Sequence, residues 1–255
     1  MAASGTDGEM SFWDHLEELR GNLIRSVVAV CIFTVAGLIF KDALFKIVLA
    51  PTRPDFCVYR LLGWNFSMDL VNIEVSAQFF AHLKASFAAG LVVAFPYVIY
   101  EIWKFIAPAL YENETRPVRR AFLFSSLLFY AGVLVGYFFV LPVCLQFFIN
   151  YSVSESVVNT ITLGSYMSLF LSMVVLIGIV FEFPTVVVVL SRIGVLSRST
   201  LRKGRKYALV VILILSAIIT PSDPFSMLVL AFPLYLLYEL SILCASNKVE
   251  QDDSE

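Results

Sequence analysis

Two groups of acidic residues could do chemistry that the rest of the chain would have to position. The first lies just before the first long apolar run, in Ser11-Phe12-Trp13-Asp14-His15-Leu16-Glu17-Glu18-Leu19-Arg20. Phe12, Leu16, Leu19 and Leu23 recur at helical spacing, so the stretch predicts the start of an amphipathic helix. Asp14, Glu17 and Glu18 fall largely on its other side. Ser11 with Asp14 three residues on approximates a capping box. Asp14 can complement the positive end of the helix dipole, but Glu17 and Glu18 lie beyond the first turn, where that effect fades. Taken alone, these residues leave two readings open: a solvated acidic face, or carboxylates offered to a cationic partner. Glu17 can also pair with Arg20 at i,i+3.

The second group is Glu182, inside the apolar run that holds Phe181-Glu182-Phe183-Pro184. A carboxylate at membrane depth costs about 2.5–3.5 kcal/mol on insertion scales. It must be protonated, face a watery concavity or have a partner. Either it hydrogen-bonds backbone groups freed by Pro184 or a neighbouring helix, or it is a polar docking point for a partner helix or substrate. Glu239 lies at similar depth in the last apolar run. Arg25, Lys84 and Glu101 lie near interfaces, where snorkelling is expected. No His-Glu-x-x-His, Gly-x-Ser-x-Gly or phosphate-binding loop is present, so no enzyme activity, cofactor or metal is expected. His15 and His82 fall on opposite sides of the membrane in the topology below. Cys31, Cys57, Cys144 and Cys244 lack metal spacing and imply no disulfide framework.

The elements that must hold these residues are membrane helices. Of 255 residues, 59% are hydrophobic and 15% charged, far from the roughly 45–50% and 25% of a soluble domain. Runs at about 23–40, 79–102, 121–149, 166–190, 207–219 and 225–243 predict six spans. The fold class is therefore all-α: a polytopic membrane protein whose helices form a concave, proline-kinked bundle, with Pro96, Pro142, Pro184 and Pro233 inside spans. The fifth run is too short to cross a full-thickness bilayer upright. Gly132 and Gly136 form a small-xxx-small pair, with a neighbour expected in the same chain. The segment from Pro51 to Ser76 reads as a long irregular loop on the membrane surface. No cleavable signal peptide is expected. Residues 1–246 read as one transmembrane domain and 247–255 as a polar, disordered tail.

With the N-terminus in the cytoplasm, thirteen Lys and Arg fall on the inner side, four on the outer side, and Lys84 within a span. This excess places both termini inside.

Four motifs, in this order and topology, resemble the TatC family, the receptor subunit of the twin-arginine protein translocase. They are His15-Leu16-Glu17-Glu18-Leu19-Arg20, Phe105-Ile106-Ala107-Pro108-Ala109-Leu110-Tyr111 followed by Glu114, Phe181-Glu182-Phe183-Pro184, and Thr220-Pro221-Ser222-Asp223. The resemblance covers about residues 11–245. It implies a glove-shaped six-helix protein of the cytoplasmic (inner) membrane that binds twin-arginine signal peptides of folded cargo at its cytoplasmic face. It also implies single-span partners of the TatA and TatB types, drive by the proton-motive force, a homo-oligomer within a receptor complex, contact with membrane lipid, and no nucleic-acid partner. By the same resemblance Glu18 and Glu114 receive the arginine pair, Glu17 and Arg20 lie beside them, and Phe105 with the loop at Pro108 shapes the site. Glu182, Thr220 and Phe225 would meet partner helices; Pro51, Pro108 and Asp223 would hold loops. Two adjacent guanidinium groups call for two fixed carboxylates, since arginine pairs bidentately where lysine offers a point charge. Gln78 and Met227 stand where the family often has Pro and Gln. The alternative function is a proton- or ion-coupled secondary transporter using Glu182, which would predict internal repeats that this sequence lacks.

Overall fold

The computed structural model of the chain describes residues 12–64, 68–106, 112–154, 159–192, 195–220 and 223–245. Ser11, Pro108 and the expected polar tail lie outside the described residues. Helix α1 (Phe12–Ile39) runs unbroken from the acidic stretch into the first apolar run, and a turn at Phe40 starts α2 (Lys41–Val48). Helix α4 (Ala77–Ile106) packs along α1. The rest of the bundle is α5 (Glu112–Val135), α6 (Leu141–Asn150), α7 (Leu163–Leu171), α8 (Ile177–Val180), α9 (Phe183–Arg192), α10 (Arg198–Lys203), α11 (Arg205–Ile219) and α12 (Pro224–Cys244). Five described helical stretches are long and apolar enough to cross a membrane: Leu16–Ile39, Ala77–Ile106, Phe124–Asn150, Leu163–Ser191 and Pro224–Leu243. At 1.5 Å per residue α11 spans only about 22 Å, short of the roughly 30 Å hydrocarbon core. Along α1, Leu23, Ile24, Val27, Val28 and Ile32 are exposed, an apolar face that lipid can cover and water cannot.

Helix irregularities fall next to two of the prolines. A π-helical turn, Gly136–Val140, precedes Pro142, and a second one, Ser172–Leu176, precedes α8. The two turns pack against one another. At Phe181 and Glu182 the helix breaks, and α9 restarts just ahead of Pro184, whose missing donor would otherwise interrupt the ladder. Pro96 and Pro233 sit inside α4 and α12. The Gly132/Gly136 pair faces the same chain: a Cβ at Gly132 would come within 2.6 Å of the Phe181 ring, and one at Gly136 would overlap the Met173 carbonyl.

The segment expected to be an irregular loop is more ordered than that expectation. It holds a 3-10 turn at Ala50–Thr52, helix α3 (Cys57–Leu62) and strand β1 (Leu70–Val71), which pairs in parallel with β2 (Ile161–Thr162). Gly63 ends α3 with φ 68°, the left-handed conformation that glycine adopts without penalty. Three tyrosine hydroxyls from distant positions fasten the corner after α2. Tyr137 donates to the Ile47 carbonyl at 2.8 Å, Tyr166 to Val48 at 2.5 Å and Tyr59 to Pro51 at 2.7 Å. Burial holds the Tyr59 phenol above its usual range, so it remains a donor. Tyr137 and Tyr166 lie 90 and 118 residues from their partners, a spacing that leaves no local sequence signal.

Gly136→Ala is expected to lower the thermal midpoint of the detergent-solubilised chain by several degrees, at a cost of about 1–3 kcal/mol for forcing the two π-helical turns apart; intrinsic-fluorescence melting measures it, and an unchanged midpoint would refute the close packing.

Candidate functional site

The acidic end of the molecule is built on the antiparallel seating of α1 against α4. A Cβ at Gly37 would meet the Ser86 Cα at 3.1 Å, and one at Gly90 would meet the Thr34 backbone nitrogen at 2.7 Å. Toward the other end, Arg25 Nε donates to Glu101 Oε2 at 3.0 Å. These contacts step along the two helices in one register. Continued two turns beyond Arg25, that register carries Glu18 about three residues, roughly 4.5 Å, past the half-buried Phe105 and beyond the described end of α4. Asn22, Ser26 and Val30 form the buried stripe of α1 at i,i+4 spacing. Glu18 extends that stripe and is half-buried, whereas Glu17 and Arg20 are exposed. Among the described residues the ion pairs are Arg25–Glu101 and Arg205–Glu239, so Glu17 and Arg20 do not pair. Six residues after Ile106, α5 begins at Glu112 with Glu114 in its first turn. Its positive dipole end suits acidic residues there. The side chain of Glu114 lies outside the described residues, as does all of Pro108.

Glu101 corrects an expectation. It does not snorkel: it is 3% exposed and paired. Arg25 Nη2 also donates to Asn22 Oδ1, and Tyr97 reaches the Glu101 carboxylate as well. The available signal was two opposite charges in successive spans near the same membrane face. Neither residue lies in one of the recognised motifs, so the pair passed as two snorkelling side chains.

Glu182 sits at the break between α8 and α9. Ser125 Oγ of α5 donates to its Oε2, and Thr185 and the Phe129 backbone hydrogen-bond the carboxyl as well. Buried Thr185 lies one turn on, and Phe95 stacks on Phe129 at 3.5 Å in the adjoining cluster. Ser125 is 57 residues away and escaped sequence reading. Glu239 is occupied otherwise: Arg205 Nη2 donates to it at 2.8 Å and the Tyr235 hydroxyl at 3.2 Å. Thr220 is buried at the end of α11 and donates to the Ser216 carbonyl at 2.9 Å. Asp223 caps α12, its Oδ1 accepting from the Ser226 amide at 2.6 Å ahead of Pro224 at the first helical position. Phe225 stacks on Phe147 with centroids 3.9 Å apart. It borders a cavity of about 360 Å³ with Trp64, Gln146 and Tyr151. Pro51 is buried in the tyrosine-fastened corner, far along the chain from the acidic end.

The family model for the Sec-independent protein translocase protein TatC matches residues 14–233. The chain belongs to the TatC family. The Sec-independent protein translocase protein TatC of Blattabacterium sp. is 36% identical over 250 residues, covering 92% of this chain and 94% of its own length. The TatC of Escherichia coli K12 is 34% identical over 228 residues, covering 89% and 85%. Among solved structures, a crystal structure of the twin-arginine translocase receptor TatC superposes with a TM-score of 0.76 at 35% identity, covering 90% of this chain and 97% of that one. A second, in the detergent DDM, superposes at 0.78 and 34% identity, covering 91% and 99%. The all-α membrane fold is therefore the TatC fold. This TatC chain is a multi-span component of a protein translocase, and its relatives carry names of transport proteins rather than enzymes. The transporter alternative gains no support from them.

Ser125→Ala removes the serine hydroxyl from Glu182 in an apolar setting. The expected cost is about 0.6–2 kcal/mol, seen as a lower melting temperature in detergent. Glu182→Gln, which keeps an oxygen acceptor for Ser125, should melt close to the parent; equal losses in both variants would contradict this pairing.

Proposed function

We propose that this TatC chain is the core receptor of a twin-arginine translocase, and that Glu18 with Glu114 binds the arginine pair of signal peptides on folded cargo. The observation that supports this reading is the seating of α1 on α4, which turns Glu18 toward α4 near its C-terminal end, with α5 following after five residues and Glu114 in its first turn. Glu18 is preferred over Glu17 because it lies on the stripe that faces α4, where a carboxylate is held in place, while Glu17 points to solvent. Phe105 supplies an apolar floor beside the carboxylates, Pro108 shapes the loop between them, and Arg20 and Glu17 form the exposed rim. A folded cargo stays outside; only its extended signal segment needs to reach this end.

The same reading places both termini in the cytoplasm, counts α11 as the short fifth of six spans, and sets the receptor in the cytoplasmic membrane as one transmembrane domain. Single-span partners of the TatA and TatB types would lie against Glu182, Thr220 and Phe225, with further copies of this chain in the assembled receptor. Glu182 fits a polar partner contact because its described hydrogen-bonding neighbours, Ser125, Thr185 and the Phe129 backbone, are neutral and leave it without a cation. Transport would draw on the proton-motive force.

Binding of a fluorescent twin-arginine signal peptide to the purified chain in nanodiscs tests the receptor role. Glu18→Gln and Glu114→Gln should each weaken binding by about ten- to a hundredfold, the loss of one charge-assisted hydrogen-bonded partner at roughly 1.5–3 kcal/mol, and the double variant should abolish it. Raising ionic strength should weaken the parent's binding, because exposed charge pairs are screened. Unchanged binding in the double variant would overturn the assignment.

A further inference from the structure

We propose that Arg25 and Glu101 are positioning residues for the arginine-pair site: their ion pair holds the first turns of α1 at one register and one rotation on α4, so that Glu18 stays turned toward the C-terminal end of α4. The inference rests on the receptor reading of Glu18 and goes beyond it, since neither residue belongs to the motifs that identify the family.

The geometry carries it in three steps. First, the close approaches that seat α1 on α4 lie at Gly37 against Ser86 and Thr34 against Gly90. Both are well down the helix from the acidic turns. Helix termini lack internal partners and fray, so the first turns of α1 need their own fastening. Arg25–Glu101 is the ion pair between these two helices among the described residues. It lies two turns from Glu18.

Second, the pair is asymmetric. The Glu101 side chain is 4% exposed and that of Arg25 45%. Glu101 is thus a fixed point inside the helix interface, and Arg25 is the arm that reaches it from the open side. Asn22 accepts from the Arg25 guanidinium and is itself 4% exposed. It braces the arm on the face that also carries Glu18. Loss of Arg25 would strand a buried carboxylate. The cheapest relief is for the end of α1 to lift or turn so that water reaches Glu101.

Third, small movements matter here. Consecutive residues of a helix are separated by about 100° of rotation, so a slip of one residue would swing Glu18 off the α4 face and bring Glu17 toward it. A bidentate carboxylate–guanidinium contact tolerates little displacement. The ion pair therefore acts on peptide binding through Glu18 without touching the peptide.

The test uses the full chain in nanodiscs and two readouts. One is affinity for a twin-arginine signal peptide. The other, taken without peptide, is the spin-label distance between Leu19→Cys and Lys104→Cys, with the native cysteines replaced by serine. Arg25→Gln and Glu101→Gln should each broaden the distance distribution and weaken peptide binding by about tenfold or more. The reversed pair, Arg25→Glu with Glu101→Arg, should narrow the distribution again and restore most of the affinity. Single variants that lose thermal stability yet bind as the parent does would overturn the proposal, as would a reversed pair that restores neither readout. Glu18→Gln is measured alongside. If it weakens binding while the Arg25 and Glu101 variants do not, only the positioning role falls. If it binds as the parent does, the receptor reading falls first and the positioning role with it.

Discussion

A carboxylate carried into an apolar medium has to be matched by something in the protein, and this constraint orders the bundle. Three acids inside or at the ends of spans meet it in three ways. Glu101 is buried against the Arg25 guanidinium, Glu239 takes Arg205 and Tyr235, and Glu182 meets neutral donors, Ser125 foremost, and no cation among the described residues. The first two are saturated by charge and tie neighbouring helices together. The third is held by hydrogen bonds alone, at the break between α8 and α9.

Close backbone approach is the second organising device. Without a hydrophobic drive between helices in lipid, association depends on packing, and small residues permit it. Gly37, Gly90, Gly132, Gly136 and Gly178 each bring another helix near enough that a Cβ would crowd it. The two ends of the molecule are then finished differently. At one end, tyrosine hydroxyls and a short parallel strand pair close the corner after α2. At the other, the Arg25–Glu101 ion pair joins α1 to α4.

Much of this was legible in the residues. Hydropathy runs marked five long apolar helices, four of them to within about four residues and the first starting seven residues earlier at Leu16, because a span must be apolar along most of its length whatever its neighbours are. The shortness of α11 and the break at Glu182 followed from run length and from Pro184. The family motifs, read together, led to TatC. What escaped were pairings over long sequence distances: Ser125 on Glu182, Tyr137 and Tyr166 on Ile47 and Val48, and the strand pair inside a segment that reads as loop. None leaves a local signature, since hydroxyls and two-residue strands carry no periodicity.

The sequence by itself determined the medium, the helical class, the approximate spans and the choice of acids worth watching, because each depends on composition or on neighbours within one turn. The tertiary structure decided which acids are bound and which are free. Arg25 and Glu101 were read apart as two interfacial side chains, and only the antiparallel register of α1 and α4 makes them a pair. The same register puts Glu18, not Glu17, on the α4 face. Register and rotation of one helix on another are set by side-chain packing summed over both, and no stretch of either chain segment contains that information alone.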